Sequence, residues 1–441
     1  MVTFITLFLS LIAGEQPIEV AVGDEVAQVE LWLDGASIGV LEKEPWKLTY
    51  DFGTHLAPRE LVAIAKNPRG EESGRARLLI NVPRPRAGAA LRVRKDGAQH
   101  RGELTWQAVD LPDPTNISLQ LDGQPLEVAN HRDFLLPELD SQVLHFLTAE
   151  VTFPNEVAAR AWTSFGGQFV GQTEAELTAV AILGKKPKSN LGASQMAGWF
   201  LRDGNPIPVV ALEKGPAEIL MVRAPAAQDP LMELGKVVSA HDPTSAGEFT
   251  GDPMEGLSRS LEPNDRFNVL STWTRNASGR RSSASLFQML IRDRRVTRKG
   301  IPVILTQLFP PIPPVTTHRI GDAVAAAGRA AASNSLPRAV ILVLNGEPVD
   351  PSFHKPQQVR GYLSDLGVPL WVWNITGRKH RPKPRSWGRT QNISTTTSLR
   401  KALARLRGHL DRQQIVWLEG SHLPQSIELS KEAENEIELV R

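Results

Sequence analysis

The stretch L-W-L-D-G-A-S-I-G-V at 31–40 returns as L-Q-L-D-G-Q-P-L-E-V at 119–128, a period near 88 residues. In both copies alternating apolar residues run straight into Asp-Gly. Alternation sends every second side chain to one face of a strand. Asp-Gly supplies the positive φ angles that a tight two-residue hairpin needs. A chain that does this twice is held to two sets of paired antiparallel strands. Trp46–Tyr50, Leu61–Ala65 and 77–82 read as short strands around the first copy, with Asn67-Pro68-Arg69-Gly70 as a turn. Leu144–Phe153 and Ala158–Phe165 do the same around the second. Short strands at this spacing predict a β-sandwich each. Pro83-Arg84-Pro85-Arg86-Ala87-Gly88 has the composition of a linker between them.

The texture changes near residue 186. W-F-L-R-D-G-N-P-I-P-V-V-A-L (199–212) predicts a hairpin lead-in over 186–216, turning at Asp203-Gly204. Beyond it, apolar runs alternate with helical segments. The runs are Ile219–Val222, Phe267–Leu270, Pro302–Leu305, Ala339–Leu344, Pro369–Trp373 and Gln414–Leu418. The helical segments are 320–334, 357–366 and 398–410. Buried strands alternating with helices predict a mainly parallel sheet with right-handed crossovers.

Composition narrows the chemistry. A net charge of +2 gives no global pull toward nucleic acid. The absence of cysteine removes disulfides, thiolate catalysis and cysteine-based zinc sites. The first charged side chain is Glu15. The apolar segment 1–14 before it suits a signal peptide or N-terminal anchor and is short for a bilayer span. A buried first strand is the other reading of the same residues. The export reading places the protein outside the cytoplasm, in the periplasm, on the cell surface or secreted.

Several stretches resemble known families. Leu31-Trp32-Leu33-Asp34-Gly35, Pro45-Trp46, Asp51-Phe52-Gly53 and Ala63-Ile64-Ala65 resemble a bacterial immunoglobulin-like domain. Ala217–Val222, 263–270, Ala339–Gly346 with the helix before it, and Val368–Trp373 resemble a von Willebrand factor type A domain. F-L-R-D-G-N-P-I-P-V (200–209) is similar to the lead-in of secreted type A proteins of the Acidobacteria type. The resemblance implies an immunoglobulin-like domain at 15–83, a second such sandwich at 84–185, and an α/β Rossmann-like type A domain at 217–441. It also implies where a metal would sit. Metal-binding type A domains carry Asp-x-Ser-x-Ser after the first strand, a Thr before the middle helix and an Asp after the fourth strand. These positions fall here on Arg223, Pro225 and Ala227, on Thr317, and on Asn345. An Arg charge where a carboxylate belongs repels a cation. The expectation is a degenerate site, no metal and no cofactor.

No other catalytic signature competes. H-E-x-x-H, a phosphate loop and G-x-G-x-x-G are all missing. Glu42/Glu44 and Glu71/Glu72 read as solvated surface, and His131 beside Asp133 reads as a turn. Asp229 and Asp350 are open to two readings, loop caps or a variant cation site. The proline-rich 309–315 reads as a rigid connector. The basic run 292–299 reads as a helix end. The run 377–389 is sharper, holding Arg378, Lys379, Arg381, Lys383, Arg385 and Arg389, with prolines that forbid a helix; it reads first as a solvated loop and otherwise as a surface for an anionic partner.

The expected function is therefore a non-enzymatic, exported protein-binding or scaffold protein, part of an envelope or extracellular assembly. Its partners are other proteins, with no role for nucleic acid. Arg223, Asn345 and the basic run supply the binding surface. Two alternatives stay open: a cation-dependent adhesion module with variant ligands, and an enzyme with an unrecognised site.

Overall fold

The computed structural model describes residues 2–6, 8, 11–82, 87–96, 99–108, 112–122, 124–140, 145–153, 158–166, 177–185, 192–227, 229–231, 233–234, 265–275, 286–295, 318–333, 335–376 and 385–441. The predicted strand 302–305, the proline-rich 309–315 and Thr317 lie outside them. The chain divides into two compact units. One joins Met1–Pro83 with Thr178–Leu418 and His422–Arg441; the other is Arg84–Leu177 with Glu419–Ser421.

The first unit begins with a seven-stranded sandwich. Its strands are β1 (Val2–Phe4), β2 (Glu15–Val22), β3 (Gln28–Leu33), β4 (Ala36–Leu41), β5 (Lys47–Asp51), β6 (Arg59–Lys66) and β7 (Glu72–Ile80). They form sheets of order β1-β2-β5 and β4-β3-β6-β7. The alternation behaves as expected: Val29, Leu31 and Leu33 of β3 face the core, while Gln28, Glu30 and Trp32 are partly exposed. The segment read as an export signal carries β1, which pairs antiparallel with β2. Val2, Phe8 and Ile12 are buried in the same core.

The second unit holds the repeat of this pattern. Strands β8 (Ala87–Asp96), β9 (Gln99–Ala108) and β12 (Asp133–Leu135) make one sheet. β10 (Asn116–Leu121), β11 (Gln124–Pro125), β13 (His145–Thr152) and β14 (Ala158–Phe165) make the other, in the order β11-β10-β13-β14. Leu104, Leu119, Leu147 and Val151 lie in the core between them.

The rest of the first unit is α/β with small antiparallel sheets beside it. A four-stranded sheet has the order β18 (Val209–Glu213), β25 (Gln413–Glu419), β15 (Leu177–Gly184), β27 (Ile437–Leu439). The lead-in is the hairpin of β16 (Phe200–Arg202) and β17 (Asn205–Ile207), joined by β26 (Glu428–Leu429). Asp203 and Gly204 at its turn take φ of 50° and 78°. Asp34 and Gly35 show the same pair of positive values, 50° and 81°. Both turns thus use the conformation for which Asp-Gly is selected.

The large sheet comprises β19 (Glu218–Arg223), β20 (Arg266–Arg275), β21 (Leu286–Arg295), β22 (Arg338–Leu344), β23 (Leu370–Asn374) and β24 (Thr390–Asn392). Their order is β21-β20-β19-β22-β23-β24. β20, β19, β22, β23 and β24 run parallel, and β21 is an antiparallel edge. The basic run starting at residue 292, read as a helix end, begins within β21 instead. Both faces are covered, so β19 and β22 are buried at every position. Ile219, Met221, Ile341 and Val343 point to helix α3 (Thr396–Leu410), meeting Leu399, Leu403 and Leu406. Leu220, Val222, Val340 and Leu342 point to α1 (Ile320–Ser333) and α2 (Pro356–Asp365). Continuous apolar strands are what a two-sided parallel sheet demands.

The first sandwich is bound into this α/β layer. Leu56 is fully buried among Val359, Tyr362 and Leu363 of α2. The Tyr362 hydroxyl donates to the Asn81 carbonyl oxygen at 2.8 Å. Asn81 sits at φ 57° and grips the N-terminal segment: Ile12 N–H donates to its Oδ1 at 2.7 Å, and its Nδ2 donates to Ile12 O at 2.9 Å. Among the described residues no helix is long and apolar enough to cross a membrane.

Candidate functional site: the carboxyl edge of the parallel sheet

In an open sheet of this kind, ligands enter at the carboxyl ends of the strands, where the strand order reverses. That point lies between β19 and β22, which pair with Arg223 opposite Val343. The structure brings Arg223 and Asn345 to it together. The crevice between them is laced shut. Ala224 N–H donates to Val343 O at 2.9 Å. Pro225–Ala227 form a single 3-10 turn, and Ala227 is fully buried. Asn345 Nδ2 then donates to Ala226 O at 2.7 Å. A carboxylate at position 345 could not make that bond, because it has no proton to give. The amide is therefore what straps the two loops together.

Arg223 is 4% exposed. Burial lowers its pKa to about 10, so it stays charged at neutral pH. A guanidinium at that depth is largely out of direct reach from the surface, while its charge still contributes to the local field. Next to β22, Asn374 is also buried and takes Gly346 N–H at 3.0 Å and the Thr376 hydroxyl at 2.8 Å on its Oδ1. On the other side Thr272, at zero exposure, meets His318 Nδ1 at 2.9 Å. Burial holds His318 below its ordinary pKa.

The carboxylates that a cation could use are committed elsewhere. Asp350 caps α1, accepting Ile320 N–H at 2.9 Å and Gly321 N–H at 2.8 Å. Asp322 accepts Phe353 N–H at 3.1 Å and His354 N–H at 3.0 Å, and pairs with Arg319 at 2.5 Å. Of the two readings of Asp350, the cap is the one its geometry displays. Asp229 is exposed and the structure does not bring it to Asp350 in a ligand set. Among the described residues no three His, Asp or Glu side chains gather as a metal would need.

The basic run is only partly described: Arg378, Lys379, Arg381 and Lys383 lie outside the described residues. Its end is anchored. Arg385 N–H donates to Glu347 Oε2 at 2.6 Å, and the Ser386 hydroxyl donates to Glu347 Oε1. Trp387 is buried against the α1–α2 face, while Arg385 and Arg389 are exposed. Sequence reasoning missed this tie, since Glu347 is far from the basic run in the chain and lies in no motif. Elsewhere, Asp133 pairs with Arg101 at 2.9 Å rather than with His131.

No protein-family model matches the chain, and no curated protein matches it. Solved structures with some likeness include the fibronectin(III)-like modules of Clostridium thermocellum CbhA, at 19% identity over 18% of this chain and 93% of that one, with TM-score 0.17. A β-glucuronidase of glycoside hydrolase family 2 shares 9% identity over 48% of this chain and 28% of its own, with TM-score 0.20. A 1.5-MDa bacterial ice-binding adhesin shares 11% over 44% and 76%, with TM-score 0.15. At these scores the likenesses carry no functional argument, and the architecture stands on its own strand pairings.

Proposed function

We propose that the protein is a non-enzymatic, exported binding or scaffold protein whose C-terminal part is a von Willebrand factor type A domain that has given up its metal. Two immunoglobulin-like sandwiches accompany that domain. Its partner is another protein, met through the edge that carries Arg385 and Arg389, with Arg223 contributing positive potential from beneath. One observation carries the reading. At the switch point of a sheet ordered as type A domains are, an amide from Asn345 closes the crevice over a buried Arg223.

Thermal melting tests the metal-free half of this. A ligand that binds only the native state raises its stability, by about 2.7 kcal/mol at a hundred times Kd. Calcium, magnesium or manganese at millimolar concentration leaves the melting temperature of the native chain unchanged. The triple substitution Arg223→Asp, Pro225→Ser, Ala227→Ser, combined with Asn345→Asp, restores the type A ligand pattern and makes the melting temperature respond to metal. A metal response in the unaltered chain overturns the proposal. The binding half is tested by affinity capture from the host: R385E/R389E releases the retained protein, whereas capture unmoved by that change places the interface elsewhere.

A further inference from the structure

The loop 346–355, which follows β22, presents two large apolar side chains to water. Val349 is 95% exposed and Phe353 is 68% exposed. Exposed apolar residues are ordinary when single and solvated by chance. These two belong to one short loop, and that loop is fixed. Asp350, between them, clamps it to the first turn of α1 through the two N–H contacts described above, and also accepts Ser352 N–H at 3.0 Å. Asp322 holds the Phe353 and His354 N–H groups from the other side. The fit is close: a Cβ added at Gly321 would lie 2.4 Å from His354 O. Pro348 and Pro351 flank the two sites. The side chains are thus displayed by a pre-ordered backbone, which removes most of the entropic cost of binding through them.

The surroundings are basic. Lys355 and Arg360 are exposed at the start of α2, and Arg385 and Arg389 are exposed on the segment tied to Glu347. The acids nearest the tip are engaged: Glu347 by Arg385 N–H and the Ser386 hydroxyl, Asp350 by the helix N-terminus. The tip therefore combines protruding apolar groups with a cationic collar. Val349 stands almost fully open to water. Such a side chain suits a fluid acceptor, which needs no shaped pocket, better than a flat protein surface.

We propose that loop 346–355 docks this protein on a bilayer bearing anionic headgroups. Val349 and Phe353 enter the interface, and Lys355, Arg360, Arg385 and Arg389 meet the headgroups. The inference goes beyond the protein-binding reading: it shares Arg385 and Arg389 with that reading, while Val349 and Phe353 belong to it alone.

The test is flotation of the full chain with vesicles of phosphatidylcholine, with and without phosphatidylglycerol. The chain floats with the anionic vesicles and not with the neutral ones, and salt weakens the association. V349S/F353S lowers the bound fraction by about tenfold or more, as does R385E/R389E. Neither pair shifts the melting temperature, since all four side chains are exposed. Three results overturn the proposal: no flotation with anionic vesicles at low salt, flotation unchanged by V349S/F353S, or equal flotation with neutral lipid. If the chain instead self-associates in sedimentation velocity, and V349S/F353S abolishes that without any vesicle binding, the loop meets a second copy. If V349S/F353S releases a captured host protein while vesicles are ignored, the loop meets that protein.

Discussion

The two copies of L-x-L-D-G place their Asp in the same backbone conformation and then secure it with different chemistry. Asp34 and Asp122 both sit at φ 50°. Each faces the first residue of the strand that pairs with its own: Arg59 opens β6, and His145 opens β13. Asp34 accepts Arg59 Nε at 2.6 Å and Glu60 N–H at 2.8 Å. Asp122 meets His145 Nδ1 at 2.7 Å, and His145 Nε2 lies 3.1 Å from Asp140 O. Burial works against a charge on His145, but the bonds to Asp122 and Asp140 outweigh it and raise its pKa. One repeat is thus closed by a guanidinium, the other by an imidazole whose pKa its partners raise. The same backbone motif can carry a constant clamp or a pH-dependent one, and a single residue at a strand start decides which.

Breaking both repeats at their cores sets the upper limit. Leu31→Ala and Leu119→Ala each empty a buried site and cost about 2–5 kcal/mol. Hydrogen exchange read separately on β3–β6 and β10–β13 assigns each loss to its own sandwich. Gly35→Val forces a β-branched side chain to φ 81° and costs about 1–3 kcal/mol in the first sandwich alone. Asp34→Ala removes a partly exposed ion pair and one backbone acceptor, for about 1 kcal/mol. The pH effect is the smallest and the most discriminating. A folded pKa raised above the ordinary histidine value of about 6.5 stabilises fully below that value and is lost as pH rises through the folded pKa. Protection of β10–β13, corrected for intrinsic exchange, therefore falls across that window while β3–β6 holds. Asp122→Asn flattens the dependence, and His145→Arg removes it while keeping the closure. A second sandwich whose stability is level across the window would show that the two clamps are equivalent.

Much of the architecture is written in local pattern. Strand alternation around Leu31 and Leu119, and the continuous apolar run of Ala339–Leu344, give strand positions and the number of covered faces. Asp34-Gly35 and Asp203-Gly204 give turns, because the required φ is a property of those residues alone. What was not legible depends on meetings across the chain. Nothing near Asp122 announces His145. Asn345 reads as a missing ligand, and only the structure places Ala226 O within its reach. Arg223 reads as a surface charge at a strand tip, yet it is buried at the end of β19. The residues at 292–295 carry the charge of a helix end and lie in an edge strand, a place where charged residues are common.

Asn81 and Tyr362, bonded between the first sandwich and α2, are 281 residues apart in sequence. That separation has a consequence in time. A ribosome adding roughly 5–20 residues per second takes about 15–55 s to travel from one to the other. Throughout that interval the first sandwich exists without the helix that covers Leu56. A chaperone acting on the nascent protein would therefore find its apolar target in this waiting flank rather than at the growing end.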